Sequence, residues 1–191
     1  KRVEGLTNNQ SVSFTTAELN NIYSALSNVT SGVFKFVNST YSGSNIVGTS
    51  TKTATGTINT NIKPSISSVT LTEAVSGLAT KFGAYIQNKS KISGTITAAA
   101  GTGSSIDKYD IKINGVTYTS STFTTDVLTS SGSNSCVVTV TDKRGRTATS
   151  TVTFNVVAYE NPKVTSLSVV RCNADGTLND NGNYVKVNGA A

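Results

Sequence analysis

The sequence contains no histidine, no methionine and no tryptophan, and it has only two cysteines and two prolines. Without histidine the chain cannot build a catalytic pair in which an imidazole activates a serine or cysteine nucleophile. The same absence, together with only two cysteines, argues against the common types of zinc site. These absences exclude nucleophilic catalysis through histidine and disfavour zinc, and we expect a protein that is not an enzyme and holds no cofactor.

Charge and long hydrophobic runs are also scarce. Charged residues make up 14% of the chain, and the net charge of +6 is spread along it. No apolar run approaches the length needed to cross a membrane, and no signal peptide is visible, so a membrane partner is not predicted. Lys1 stands where an initiator methionine would be, and we therefore expect the chain to be a piece of a longer protein.

Serine and threonine are abundant instead, at about 30% of the residues. Threonine favours strands because its branched Cβ suits a pleated surface. Serine- and threonine-rich sequence can also be disordered, but apolar residues alternate regularly here and proline is rare. The composition thus favours an all-β fold over a disordered stalk.

The clearest strand pattern lies in residues 136–159, where apolar and polar residues alternate on both sides of a glycine-containing turn. Such alternation predicts a β-hairpin with one face in a core. The predicted inward residues are Cys136, Val138, Val140, Ala148, Val152, Phe154 and Val156.

The turn of this hairpin holds the densest basic cluster of the chain, Lys143, Arg144 and Arg146. The cluster is most simply interpreted as a solvated turn. A second interpretation is weak attraction to an anionic surface such as wall polymer or nucleic acid. The sequence has no nucleic-acid-binding motif and no aromatic platform near these residues, so nucleic acid is not a predicted partner.

Three local signals predict other elements. Thr15 and Glu18 have capping-box spacing before a short amphipathic helix over residues 16–26. Asn114-Gly115 predicts a two-residue type I′ hairpin turn. A change of parity between Ile66 and Val69 suggests a β-bulge.

Other segments are predicted from their composition and alternation. Residues 80–89 are predicted to be an irregular link, and residues 123–128 are predicted to be a strand. A further strand is predicted over residues 32–41, with Phe34 and Phe36 facing inward.

An internal repeat predicts the domain organisation. Apolar residues follow Pro64 and Pro162 at the same offsets, and a Thr-alternating strand precedes each proline. A period near one hundred residues with about seven short strands is the size of an immunoglobulin-like (Ig-like) sandwich. We therefore predict tandem Ig-like β-sandwich modules: the later part of one at 1–62, a complete one at 63–161, and the first strands of another at 162–191.

Four stretches carry a resemblance to a known family: GVFKFVNSTYSGSNIVGTSTKTATGTI, KPSISSVTLTEA, KFGAYIQNKSKISGTI and VTVTDKRGRTATSTVTFNVVAYENPKVTSLSVVRCNADGTLNDNGNYVKV. They resemble the repeated Ig-like modules of minor structural (tail) proteins of long-tailed bacteriophages. In that family a Tyr–Pro junction and an Arg-Cys-Asn-x-Asp-Gly-Thr segment recur between modules, matched here by residues 159–162 and 171–177. The resemblance implies a tail, tail-tip or fibre component of a virion, and it carries over no binding residues.

Two other clusters invite a functional interpretation. Residues 173–180 suggest a calcium loop, but the first and twelfth positions of such a loop would be Arg171 and Gly182, neither of which supplies a carboxylate. A polar turn is therefore favoured and no metal is predicted. Asp107 and Asp110 could form a glycosidase pair only by coincidence of spacing, since aromatic subsites are lacking.

Two functions from different classes follow. The first is a structural virion module, in which tandem sandwiches act as spacer and assembly elements, with other tail proteins or further copies of the chain as partners. The second is an adhesion module that binds host cell-wall polysaccharide, in a phage receptor-binding protein or in an adhesin stalk on a bacterial surface. Lys143, Arg144 and Arg146 are the candidate contacts for the second function.

Overall fold

The computed structural model describes residues 3–5 and 11–190. Among the described residues, strands hold 52% and helices 8%, which confirms the predicted all-β class. In chain order the elements are α1 (Thr16–Ala25), β1 (Ser31–Ser42), β2 (Asn45–Thr57), β3 (Ser65–Glu73), α2 (Leu78–Phe82), β4 (Tyr85–Ile86), β5 (Ile92–Ala99), β6 (Ile106–Ile113), β7 (Val116–Tyr118), β8 (Thr122–Thr124), β9 (Gly132–Asp142), β10 (Thr147–Val157), β11 (Ser166–Cys172) and β12 (Tyr184–Ala190).

The chain divides into two compact units, Lys1–Val157 and Ala158–Ala191. The first unit extends across residue 62, where the repeat predicts a module boundary. The three predicted modules stay a prediction, and the two units are described separately below.

The first unit is built on a sandwich of two sheets. One sheet has five strands in the order β4-β10-β9-β6-β7, and the other has three in the order β3-β5-β8. All neighbouring strands are antiparallel except β4, which pairs in parallel with β10.

Side chains from both sheets meet in one apolar core. Strands β5 and β8 contribute from one side, and β6, β9 and β10 from the other, because alternate residues of a strand point to the same face. The buried members are Ile92, Ile96, Ile111, Ile113, Phe123, Leu128, Cys136, Val138, Val140 and Val156.

The hairpin predicted from residues 136–159 is present as β9 and β10. Cys136, Val138 and Val140 are completely buried, whereas Val137, Thr139 and Thr141 between them are only half-buried. The period-2 pattern therefore identified the core face of β9 correctly.

Two predicted irregularities are also confirmed. Asn114 and Gly115 have φ of 50° and 75° between the paired residues Ile113 and Val116, as a type I′ turn requires. The register of β3 against β5 shifts between Ile66 and Ser68, which places the bulge where the apolar parity changes.

Helix α1 begins as predicted. The Thr15 side chain accepts a hydrogen bond from the Glu18 backbone N–H, and the Glu18 carboxylate accepts one from the Thr15 N–H at 2.8 Å. The helix ends at Ala25, with Leu26 as its C-cap, one residue earlier than the predicted range.

Strands β1 and β2 form a long two-stranded ribbon, called here the β1–β2 ribbon. Every residue of β2 except Gly56 is exposed. Phe34 is partly buried, beside Gly56, but Phe36 is 58% exposed. The prediction that Phe36 faces a core is therefore wrong, because no second sheet covers that face of the ribbon within the described part of the first unit.

Two other predictions need correction. Residues 80–89 are not wholly irregular, since they include the end of α2 and the short strand β4. The strand predicted at 123–128 is only three residues long, Thr122–Thr124, because Thr125 and Leu128 bond to the 90–92 segment instead.

The second unit is a two-stranded antiparallel hairpin of β11 and β12. Its apolar residues are largely solvent-exposed, with Leu167 at 67% and Val185 at 64%. Cys172 is buried beneath the polar turn that joins the two strands.

Candidate functional site at the basic turn

The segment of residues 142–146, called here the basic turn, joins β9 to β10. Asp142 is 1% exposed, and its Oδ1 accepts the backbone N–H groups of Arg144 and Arg146 at 3.0 and 3.1 Å. Gly145 has a φ of +78°, in the left-handed region that favours glycine. The turn therefore has a fixed backbone that aims its two arginine side chains.

Arg144 is 7% exposed and reaches the end of helix α1. Its Nε donates to the Leu26 carbonyl at 2.8 Å and its Nη2 to the Tyr23 carbonyl at 2.7 Å. Its Nη1 donates to the Thr102 carbonyl at 2.8 Å. One guanidinium thus joins the last carbonyls of α1 to a loop of the sandwich, using donors that diverge in a fixed plane.

Arg146 binds the segment that follows the β1–β2 ribbon. Its Nη2 donates to the Ile58 carbonyl at 2.7 Å, and its Nη1 donates to the carbonyls of Asn59 and Ile62. All three acceptors are neutral backbone oxygens from five consecutive residues. The side chain therefore fixes the path by which the chain enters β3.

The loop at residues 101–104 completes the contact with α1. The Ser104 hydroxyl donates to the Ser27 carbonyl at 2.7 Å. Gly103 has a φ of +74° and lies so close to Tyr23 that a Cβ there would be 2.5 Å from the Tyr23 carbonyl carbon. The loop accepts the helix only because this position has no side chain.

The interpretation of the whole turn as solvated is wrong for Arg144, which is buried, and Arg146 is only partly exposed. Lys143 is exposed. Sequence reasoning missed the acceptors because they lie 42 to 121 residues away along the chain. One signal was available: α1 has no basic residue in its last turn, so its terminal carbonyls lack a local cation.

The polar turn of residues 173–180 is explained by local hydrogen bonds. In the polar turn of residues 173–180, the Asp175 carboxylate accepts the Thr177 N–H at 2.9 Å, and this bond lowers the pKa of Asp175. Asn179 Nδ2 donates to Asn173 Oδ1 at 2.7 Å. Among the described residues no group of three or more His, Cys, Asp or Glu side chains is placed to hold a metal ion. Cys136 and Cys172 are both buried free thiols.

An open apolar groove lies between α1 and the base of the β1–β2 ribbon. It is lined by Ile22, Ala25, Leu26, Gly32, Val33 and Phe34. None of these described lining residues has a polar side chain, so they offer only apolar contact. None of the described helices has the length and apolar character required to cross a membrane.

The fold is therefore a β-rich sandwich of two sheets. Arg144 and Arg146 of its basic turn bind backbone carbonyls of the same chain, so they stabilise the fold. A family model described as "Siphovirus protein of unknown function (DUF859)" matches residues 3–182. The chain therefore belongs to this family of siphovirus proteins, and the prediction of a bacteriophage protein is confirmed. A search of curated proteins gave no match.

Proposed function

We propose that the chain is a non-enzymatic structural component of the siphovirus virion, acting as a spacer and assembly module in the tail, tail tip or fibre. The observation that carries this proposal is that the arginines of the basic turn bind the backbone of their own chain. Its two arginines donate to six backbone carbonyls of the same chain, in a chain of a siphovirus family. Such an arrangement gives a rigid joint between parts of one protein.

The strand order supports an Ig-like sandwich. In that fold the two sheets contain strands A-B-E-D and C-F-G, with extra strands beside C in variable-type domains. Here β3, β5 and β8 take the places of A, B and E, while β10, β9, β6 and β7 take those of G, F, C and C′. Strand D is not formed among the described residues, and β4 adds a short parallel strand beside G.

The second unit supports the tandem arrangement. In the sandwich, Val69 pairs with Ile96 and Leu71 with Gly94. In the hairpin of the second unit, Leu167 pairs with Gly189 and Val169 with Val187. Leu167 and Val169 follow Pro162 at the offsets at which Val69 and Leu71 follow Pro64. We infer that β11 and β12 are strands A and B of a following module.

Mass spectrometry and labelling of purified virions test the virion role. Peptides of this chain should be present in gradient-purified particles, and gold-labelled antibody raised against the 191-residue chain should bind at one position along the tail. Antibody against a capsid protein serves as the control. Recovery of the chain only from the lysate, with none in the particles, would contradict the proposal.

A second candidate is adhesion to host cell-wall polysaccharide, supported by the exposed Lys143 and by exposed Phe36 on the ribbon. Arg144 and Arg146 are poor choices for a test, since their loss would disturb the fold. Lys143→Ser alone should reduce co-sedimentation with cell walls at low salt, where an electrostatic contact is strongest. Unchanged sedimentation of Lys143→Ser, or none by the parent chain, would remove this candidate.

A further inference from the structure

We propose that Arg144 and Arg146 form a clamp at the base of the β1–β2 ribbon and set the direction in which the ribbon projects from the sandwich. This positioning role does not depend on where in the virion the protein lies. It assigns to two residues of the basic turn a mechanical task, in place of contact with an external anion.

The clamp holds the chain on both sides of the ribbon. Arg144 binds Tyr23 and Leu26, a few residues before β1 begins at Ser31. Arg146 binds Ile58 and the residues after it, immediately after β2 ends at Thr57. A ribbon gripped at both of its connections cannot pivot without breaking one set of hydrogen bonds.

The two segments at the base of the ribbon, one before β1 and one after β2, are also hydrogen-bonded to each other. The Ile58 N–H donates to the Thr30 carbonyl at 2.8 Å, which joins the entry and exit of the ribbon. The Ser104 hydroxyl and the Ser27 carbonyl add a further bond from the sandwich loop to the same connection. Both strands therefore move together with the basic turn.

Beyond its base the ribbon is largely exposed, with Val37 and Val47 at 56% and 62%. The apolar groove that its described residues share with α1 lies at the base, near Gly32 and Phe34. A two-stranded hairpin is marginally stable alone in water. We therefore expect the hydrogen bonds at its base to orient the ribbon.

Arginine is required by the geometry of the acceptors. Each guanidinium bonds three carbonyls that lie in different directions, and a lysine ammonium offers one compact charge that cannot span them. The acceptors are neutral, so the clamp is a set of charge-assisted hydrogen bonds and not a set of exposed ion pairs. Its strength should therefore change little between low and high salt.

Hydrogen–deuterium exchange of the 191-residue chain tests the clamp. We expect Arg144→Ala to accelerate exchange in residues 16–30, and Arg146→Ala in residues 58–63, each by about tenfold or more. The double variant should accelerate both segments and the β1–β2 ribbon. Exchange in β5, β6 and β9 should stay at the parent rate.

Three controls make the result specific. Lys143→Ala changes the exposed neighbour in the same turn and should leave all rates unchanged. Arg144→Lys keeps the charge and should behave like Arg144→Ala. The accelerated rates should be the same in 50 mM and 500 mM salt, within about twofold, because solvent-exposed charge pairs are the interactions that salt screens.

Unchanged exchange in residues 16–30 and 58–63 would overturn the clamp, as would equal acceleration throughout the sandwich. If Arg144→Ala does not fold, Arg146→Ala alone tests the clamp, since it removes the bonds to Ile58, Asn59 and Ile62. Faster exchange confined to residues 58–63 in Arg146→Ala supports the clamp, and no change there contradicts it.

Discussion

At the scale of single residues, burial decides what the polar and ionisable groups do. Asp142 is buried and its Oδ1 accepts two backbone N–H groups, so this side chain shapes the basic turn instead of facing solvent. Cys136 is buried among the apolar side chains of the core, so it behaves as a small apolar side chain.

Burial raises the pKa of the Cys136 thiol above its ordinary value of 9.0. In Cys172→Ser, which leaves Cys136 as the single thiol, a disulfide reagent at pH 8 should react with native protein at least about a hundredfold more slowly than with protein in denaturant, since reaction requires opening of the core.

The contribution of the Cys136 thiol to the free energy of unfolding changes with pH in a defined direction. Because the folded pKa lies above the unfolded pKa, the stability that comes from the neutral buried thiol is complete below the unfolded value. It falls as pH rises through the folded value.

In the labelling experiment on Cys172→Ser, prompt reaction of the native protein at pH 8 would show that the sandwich does not protect Cys136.

At the scale of elements, the two ends of α1 are stabilised differently: its N-terminus by neighbouring residues and its C-terminus by a residue distant in the sequence. The N-terminus of α1 is capped by Thr15 and Glu18 within the helix itself. Two carbonyls at its C-terminus, those of Tyr23 and Leu26, accept hydrogen bonds from Arg144, more than one hundred residues later. The helix therefore starts by local sequence and is anchored by tertiary structure.

Gly103→Ala should weaken this anchoring more than the matched change Gly43→Ala. Both glycines have positive φ, +74° and +61°, but only Gly103 has atoms close to where a Cβ would be. Gly43→Ala should cost about 1–2 kcal/mol from the backbone conformation. Gly103→Ala should cost about 1–3 kcal/mol more, from the clash with Tyr23.

Urea denaturation followed by circular dichroism measures both changes. Linear extrapolation gives the two free energies of unfolding, and the difference between the variants isolates the helix contact from the backbone strain. Equal losses for Gly43→Ala and Gly103→Ala would mean that α1 does not rest against the loop at residues 101–104.

At the scale of the whole molecule, the two compact units differ in how much apolar surface they bury. The first unit has a continuous core between two sheets, whereas the second is a hairpin with most of its apolar residues exposed. Residues 158–165, between β10 and β11, form neither helix nor strand. We therefore expect a protease to cleave the chain first in this segment.

A lysine-specific protease should therefore cleave first after Lys163, which is exposed within that segment. Lys108 and Lys112 lie on β6, where ladder hydrogen bonds on both sides keep the backbone from entering a protease site. Mass spectrometry at short digestion times should find the fragment 1–163 intact. First cleavage after Lys108 or Lys112 would contradict this order of stability.

Much of the sandwich could be predicted because its signals are local. Alternation in β9 placed Cys136 and Val138 in the core, Asn114-Gly115 specified a turn with positive φ, and the parity change after Ile66 marked a bulge. Phe36 could not be predicted correctly, because the same alternation appears whether or not a second sheet covers the strand.

The candidate site was the least predictable part. Lys143, Arg144 and Arg146 look equivalent in a sequence, since each is a cation within one glycine-containing turn. Whether such a side chain is solvated or buried depends on carbonyls from distant segments, which no spacing rule reveals. The cluster was found by sequence, but its acceptors were not.

The sequence by itself determined the all-β class, the strand pattern of the central hairpin and the capped start of α1. These depend on residue types and spacings within short windows, where side-chain periodicity and backbone preferences act. Only the tertiary structure decided the role of the basic turn. That role arises when Arg144 and Arg146 meet the backbone on either side of the β1–β2 ribbon, because donors and acceptors far apart in the chain are brought together by folding alone.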